Sequence, residues 1–266
     1  MFTRKPNKIL EKYRQGESSY GMQMYMTSCE LYELVGYAGF DFIMLDMEHS
    51  RVNDETMVQL LRTADSVDVT VFVRVPANEP KRIRYALEAG ARGIVIPHIM
   101  SADDVKKAQR ALRFPPEGQA GICPAVRSAK YAHDTWEEYM RESNENTSLI
   151  VLFEDVEAIE NCESILAELK PGRDGFGMGN ADIVHSLYTD AGQPINWRHP
   201  YIQTAADTVV PRAKARGLIQ LSMALSPDKA GIEYAKNNGA DAIMFHPDVD
   251  LYSRLLTRIM NEIGSI

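Results

Sequence analysis

Short apolar runs, separated by longer stretches with helical spacing, recur from one end of the chain to the other. The runs Gly21–Met26, Asp41–Asp46, Thr70–Val75, Gly93–Pro97, Leu149–Glu154, Gly175–Met178, Leu218–Ser222 and Ala242–Phe245 read as strands. Each is too short for a helix and is followed by apolar positions at helical intervals. That rhythm is the signature of βα units around a parallel sheet, whose strands are covered on both faces and therefore read as continuous apolar runs. Eight units in 266 residues suit a closed (β/α)₈ barrel, which takes roughly 250 residues. An open doubly wound sheet has about five or six strands and a glycine-rich first turn. Here no GxGxxG follows the first run, and GFGMGN at 175–180 comes late in the chain with the wrong spacing for a dinucleotide site. With no linker, low-complexity tract or short repeat, the pattern predicts one α/β domain, a (β/α)₈ TIM barrel spanning residues 1–266.

In such a barrel the chemistry gathers at the C-terminal ends of the strands. Four units supply polar residues there: LDMEHS gives Asp46, Glu48 and His49, FVRVP gives Arg74, VLFED gives Glu154, and GNADIVH gives Asp182. Arg74 lies inside VFVRV, and a guanidinium among apolar neighbours must find an anion. Glu154 follows LIVLF, where a buried carboxylate needs a cation or a metal. Two carboxylates with open positions left over make a hard-cation site of the magnesium or manganese type, and a 2-oxo acid fills such positions through its carboxylate and keto oxygens. The ion acts as a Lewis acid on the charge developing at an enolate oxygen, with Arg74 as second stabiliser. His49 is the expected general base, since a free imidazole titrates near neutrality. Asp46, three residues earlier, is expected to reach one ring nitrogen through a tight turn and fix the tautomer.

The other histidines read differently. His98 and His246 end strand candidates and His185 lies one helical turn past Asp182, so surface or supporting roles are expected; His133 and His199 read as loop residues. The Pro- and Gly-rich segment 113–131, between the fourth and fifth units, is long enough to read as a functional loop. The methionines of GMQMYM read as barrel packing.

Charge and cysteine content narrow the partners. Lys and Arg total 29 against 37 Asp and Glu, a net charge of -8 without any basic block, which argues against nucleic acid. A small anionic substrate then needs a local positive centre, a metal or a buried arginine. The three cysteines, Cys29, Cys123 and Cys162, are far apart and outside any Cys/His cluster, which argues against disulfides and structural zinc and fits a reducing cytoplasm. No stretch reaches the roughly 18 uncharged apolar residues of a membrane span, and the N-terminus lacks a signal-peptide core. A soluble, cytoplasmic protein is expected.

Taken together, GFDFIMLDMEHS, VFVRVP, LEAGARGIVIPHIMSADDVKKAQRALRFPPEGQAG, LIVLFEDVEAIEN, DGFGMGNADIVHSL and GADAIMFHPDVDLY resemble the HpcH/HpaI aldolase/citrate lyase family, and within it the class II pyruvate aldolases of the 4-hydroxy-2-oxoheptanedioate aldolase type. The resemblance covers nearly the whole chain. It implies a retro-aldol reaction that depends on a divalent metal (Mg²⁺, Mn²⁺ or Co²⁺), with a 2-oxo acid such as pyruvate and an aldehyde as small-molecule partners. It also implies Glu154 and Asp182 as metal ligands, Arg74 as the enolate-stabilising arginine, His49 with Asp46 as base and base-orienting carboxylate, and Gly179 and Ala181 as holders of the pyruvate carboxylate. A homo-oligomer, hexamer or trimer, with the last helix (251–263) exchanged between subunits, is implied as well. The chain departs from the family pattern at Asn180, where Gly-Pro-Ala-Asp is usual, at Gln119-Ala120-Gly121, where an arginine commonly precedes the last glycine, and at FHPD, which replaces the usual glycine before Asp248. These departures fall on the aldehyde half of the site and point away from the familiar dicarboxylate and sugar-acid substrates. Two alternatives remain: a CoA-ester lyase of the malyl or citryl type, whose basic residues could come only from Lys81, Arg82 and Arg84, and a non-catalytic metabolite-binding barrel.

Overall fold

A computed structural model describes residues 5–132, 135–188 and 195–265; His133 lies outside these residues. Eight strands, β1 (Ser19–Met24), β2 (Phe42–Asp46), β3 (Thr70–Arg74), β4 (Gly93–Ile96), β5 (Ser148–Phe153), β6 (Gly175–Met178), β7 (Ile219–Met223) and β8 (Ala242–Phe245), pair in parallel and in sequence order to close a barrel. The expected (β/α)₈ architecture is thus present. Closure is made by β1 against β8, with Ser19 opposite Ala242 and Met22 opposite Phe245. That pairing starts β1 two residues before the apolar run, because Ser19 and Tyr20 are recruited by β8.

Around the barrel run α2 (Cys29–Tyr37), α3 (Asp54–Ser66), α4 (Pro80–Ala89), α5 (Ala102–Leu112), α6 (Trp136–Asn146), the short α7 (Val156–Glu160) and α8 (Cys162–Ala167), α9 (Asn180–Ser186), α10 (Tyr201–Ala215), α11 (Lys229–Asn237) and α12 (Asp248–Gly264). Ahead of them, α1 (Lys8–Gln15) closes the N-terminal end of the barrel. Asn7 caps α1 by accepting from the Leu10 N–H, and its amide donates to Arg92 O, Asn146 O and Ser148 Oγ. That anchoring turns Ile9 and Leu10, both almost fully buried, onto the barrel interior.

The period of two along each strand decides what faces the interior. Phe42, Met44, Phe72, Val95, Ile150, Leu152, Ile219, Leu221, Ala242 and Met244 form the inner core, while the alternate residues pack outward against the helices. A Cβ on Gly93 would stand 2.1 Å from the Phe72 ring, so the small residue on one strand makes room for the large one on the next. Continuing the inward parity to the strand ends adds Asp46 after Met44, Arg74 after Phe72 and Glu154 after Leu152. Sequence spacing alone therefore delivers three charged side chains to one rim.

The segment 113–131 does not reach that rim. Because helices run antiparallel to the strands, α5 ends at the N-terminal face, and the chain after it stays there. Arg113, almost fully buried, pairs with Asp174 just ahead of β6 and donates to Asn144 O and Thr147 O. Arg127 donates to Ala89 O at the end of α4 and pairs with Asp65 at the end of α3. The expected functional loop thus lies, within one subunit, opposite the rim that carries Asp46, Arg74 and Glu154, anchored by Phe114, Ala120 and Ala129 buried against Tyr139 while 121–123 between the anchors are exposed.

Candidate active site

The rim is organised around Asp46, whose side chain is fully buried. Its Oδ1 accepts the backbone N–H groups of Glu48 (3.0 Å) and His49 (2.8 Å), and its carbonyl accepts the Ser50 hydroxyl. The chain thereby turns sharply after β2. Oδ2 accepts from Gln23 Nε2 at 3.1 Å and from Arg74 Nε at 2.5 Å, with Arg74 Nη2 also in contact. The anion demanded by Arg74 is therefore Asp46, its direct neighbour in the β2–β3 register. Glu48 supplies a second, 3.0 Å from Arg74 Nη1. Tyr25 closes the group, its hydroxyl 3.2 Å from Gln23 Nε2 and 3.4 Å from Arg74 Nη2.

This corrects one expectation about Asp46. It does not orient the His49 ring, because backbone N–H groups, Gln23 and Arg74 saturate its carboxylate; it positions His49 through the main chain. The ring itself is half exposed at the mouth and contacts Glu48 Oε2 at 3.5 Å.

Across the mouth, Glu154 is buried to 2 % exposure. Its Oε1 accepts the His98 backbone N–H at 2.7 Å, and the His98 ring lies over the same carboxylate, Nδ1 3.7 Å from Oε1. Burial pushes the Glu154 carboxyl up to about 7, with the charges of Glu48 and Asp182 adding to the rise and His98 opposing it. Glu48 is also raised, by burial first, against the pull of Arg74. Glu48, His98 and Glu154 offer one ligand atom each, all within 4.8 Å of one another. A buried carboxylate that gains its proton so easily, beside a second carboxylate and an imidazole, is the donor set of a divalent-cation site. Asp182, in the first turn of α9, stands outside this trio but near enough for its charge to act on Glu154.

Gly179 owes its identity to Glu154. A Cβ there would fall 2.5 Å from the Glu154 Cβ and 2.4 Å from Oε2, so only glycine lets the β6–α9 turn approach the carboxylate. Ala181 is exposed on that turn. Of the remaining histidines, His185 is exposed, His199 accepts from the Tyr201 N–H in a loop, and His246 lies 3.4 Å from Asp250 on α12. Sequence reasoning passes over Gln23, Tyr25 and Asp155, leaves Glu48 without a role and gives His98 only a surface or supporting one.

A cation held at this trio would bind in a pH-dependent way. In the metal-free protein Glu154 holds a proton below about 7, and an ion must displace it. Affinity is expected to fall by at least about tenfold per unit as pH drops below 7 and to flatten above it. Calorimetric titration of Mn²⁺ in two buffers of different ionisation enthalpy should count the released proton, and an affinity independent of pH would remove Glu154 from the ligands.

Known proteins resemble the chain over most of its length. The profile of the HpcH/HpaI aldolase/citrate lyase family matches residues 20–248. The chain is 31% identical over 198 residues, 74% of each protein, to the 2-dehydro-3,6-dideoxy-6-sulfogluconate aldolase of Pseudomonas putida. It is 29% identical over 251 residues to the 2-keto-3-deoxy-L-rhamnonate aldolase of Shigella boydii serotype 4 (strain Sb227), covering 94% of this chain and 90% of that one. A crystal structure of a HpcH/HpaI aldolase/citrate lyase family protein from Burkholderia cenocepacia J2315 superposes with a TM-score of 0.85 at 29% identity, over 97% of this chain and 99% of the other. The chain belongs to the HpcH/HpaI aldolase/citrate lyase family.

Proposed function

We propose that this protein is a metal-dependent class II aldolase, a carbon–carbon lyase that interconverts a 4-hydroxy-2-oxo acid with pyruvate, or a related 2-oxo acid, and an aldehyde. The observation that carries the reading is the buried carboxylate of Glu154 facing Glu48 and His98 across from Arg74. The names of the two curated relatives, both aldolases of 2-oxo sugar acids, support it. Glu154, with Asp182 close enough for its charge to act on it, would hold a divalent ion, Mg²⁺, Mn²⁺ or Co²⁺, whose Lewis acidity would lower the energy of charge developing on the 2-oxo group. The backbone at Gly179 and Ala181 receives the substrate carboxylate. His49 takes the proton from the 4-hydroxyl, the O–H pair forms the aldehyde C=O as the C3–C4 bond breaks, the C3–C4 pair forms C2=C3 while the C2=O π pair moves onto oxygen to give the enolate, and the aldehyde departs. Arg74, held rigid by Asp46 and Glu48, donates to the enolate oxygen. The proton on His49 returns, directly or through water, to C3 and gives the 2-oxo acid.

A CoA-ester lyase fits less well. Arg82 pairs with Asp54 and Arg84 with Glu88, so two of the three basic residues available to a CoA phosphate are already engaged. A single domain over residues 1–266 acting in the cytoplasm accords with the free thiols Cys29, Cys123 and Cys162. No helix among the described residues is long and apolar enough to cross a membrane. Exchange of α12 between subunits of a trimer or hexamer accounts for its apolar stripe, in which Tyr252, Leu255, Ile259, Met260 and Ile263 are each about half exposed.

The test is incubation of the Mn²⁺-loaded protein with pyruvate and a panel of aldehydes, read by product mass, beside solvent exchange of the pyruvate methyl protons by NMR. Metal-dependent exchange and at least one adduct are expected. A protein that binds Mn²⁺ yet gives neither is not an aldolase.

A further inference from the structure

His98 occupies a backbone conformation that few residues accept. Its φ of +51° is left-handed, a region that strains a non-glycine residue. The conformation turns both the N–H and the ring of one residue toward the same carboxylate: the N–H reaches Glu154 Oε1 at 2.7 Å, and the ring crosses the gap between Glu154 and Glu48. The two ring nitrogens have different partners. Nδ1 lies 3.0 Å from Asp155 Oδ2, at hydrogen-bonding distance. An ionised carboxylate only accepts, so Nδ1 carries the proton, and in the neutral ring Nε2 bears the lone pair. That nitrogen faces Glu48 Oε1 at 3.7 Å.

Two lone-pair atoms facing each other at that distance repel unless a proton on Nε2 or a metal ion lies between them, and a metal that binds here takes the place of that proton. Ligand atoms at ~2.1 Å from a common ion lie roughly 3.0–3.4 Å apart at octahedral or tetrahedral angles, so the Nε2–Glu48 pair is within a few tenths of an ångström of that spacing, and the trio with Glu154, whose ligand atoms lie within 4.8 Å of one another, must draw together around the ion. A carboxylate behind the imidazole, fixing the tautomer while the other nitrogen faces the ion, is the usual second partner of a metal-ligating histidine. Glu48 is suited to bridge the two halves of the site, since Oε2 meets Arg74 while Oε1 faces His98.

We propose that His98 is a nitrogen ligand of the metal centre, binding through Nε2 with its tautomer fixed by Asp155, and that it shifts the site's preference from Mg²⁺ toward Co²⁺, Ni²⁺ and Zn²⁺. This rests on the reading that Glu154 is a ligand. An oxygen-only site discriminates weakly in favour of the later metals, whereas an imidazole strengthens their binding along the Irving–Williams order and adds little for magnesium. The ring thus acts on metal selection independently of the carbon chemistry.

The experiment is calorimetry of the metal-free full-length protein with Mg²⁺, Mn²⁺ and Co²⁺, beside the visible absorption of the Co²⁺ form, in wild type, His98→Asn, Asp155→Asn and Glu154→Gln. Asparagine tolerates the left-handed backbone but is too short to replace the imidazole, and thermal melts of the metal-free variants check the fold. In His98→Asn, Co²⁺ affinity is expected to fall by roughly 10–100-fold with Mg²⁺ affinity nearly unchanged and the Co²⁺ band altered. Asp155→Asn, which keeps the ring and loses its lock, should move the ratio in the same direction. A Co²⁺-to-Mg²⁺ ratio and a Co²⁺ spectrum unchanged in His98→Asn would overturn the proposal. If that occurs while Glu154→Gln loses the metal, only the role of His98 fails; if Glu154→Gln binds like wild type, the ligand assignment beneath it fails too.

Discussion

Replacing Arg74 with lysine is expected to slow exchange of the pyruvate methyl protons with solvent by about 10²–10³, the usual cost of one preorganised oxyanion donor. Lysine keeps the charge, so the loss measures geometry. The guanidinium is held from three sides, Nε on Asp46 at 2.5 Å, Nη1 on Glu48 at 3.0 Å and Nη2 on Asp46 and Tyr25. An ammonium is a compact point charge on a flexible stem and cannot span both carboxylates while presenting a fixed donor. Asp46 would keep Gln23 and its two backbone donors, so the turn after β2 should survive and the protein should still fold. Metal binding rests on Glu154 across the mouth and should persist in calorimetry. Exchange at the wild-type rate would remove Arg74 from the chemistry, and a variant that loses metal and melts early would make its role structural.

The parts of this site legible in the sequence are those set by strand parity. A period of two along a covered strand sends Met44, Phe72 and Leu152 inward, and the same parity carries Asp46, Arg74 and Glu154 to the rim without further information. The loops beyond the strand ends obey no period. The path after Asp46 is set by its own carboxylate accepting from Glu48 and His49, a side-chain-to-backbone turn of the kind that Asp forms locally. Once those bonds are made, the carboxylate cannot also hold the His49 ring. His98 is hidden for a similar reason. After Pro97 its backbone turns left-handed, and only the Glu154 acceptor on the next strand explains why a histidine sits in that conformation. The segment 113–131 misleads because length and Pro/Gly content report that a loop is special without reporting which end of the barrel it serves. Its position is set instead by α5 running antiparallel to the strands. Placing a charged loop residue thus needs the partner as well as the spacing, as Arg127 needs Asp65 and Ala89.

His49 gives the other large effect. If it removes the hydroxyl proton of the aldol substrate, His49→Ala should leave a folded, metal-binding protein whose cleavage is slowed by roughly 10²–10⁴, the range for loss of a general base. Several features bear on that outcome. The ring is 53% exposed at the mouth and meets Glu48 Oε2 at 3.5 Å, so its removal opens little space, and the Oε2 it leaves keeps Arg74 Nη1 at 3.0 Å. The turn that carries it is built from its backbone N–H, which alanine retains. Stability should therefore change little, as for most surface substitutions, and a merely structural His49 predicts a nearly wild-type enzyme. The exposure also permits rescue: free imidazole in solution can enter the space left by the ring and take the proton in its place. Cleavage by the alanine variant should then rise with imidazole concentration, while Arg74→Lys, which keeps its own base, should not respond. Undiminished cleavage in His49→Ala would pass the role to another group at the rim, of which Tyr25, bonded to Gln23 and Arg74, is the next to replace.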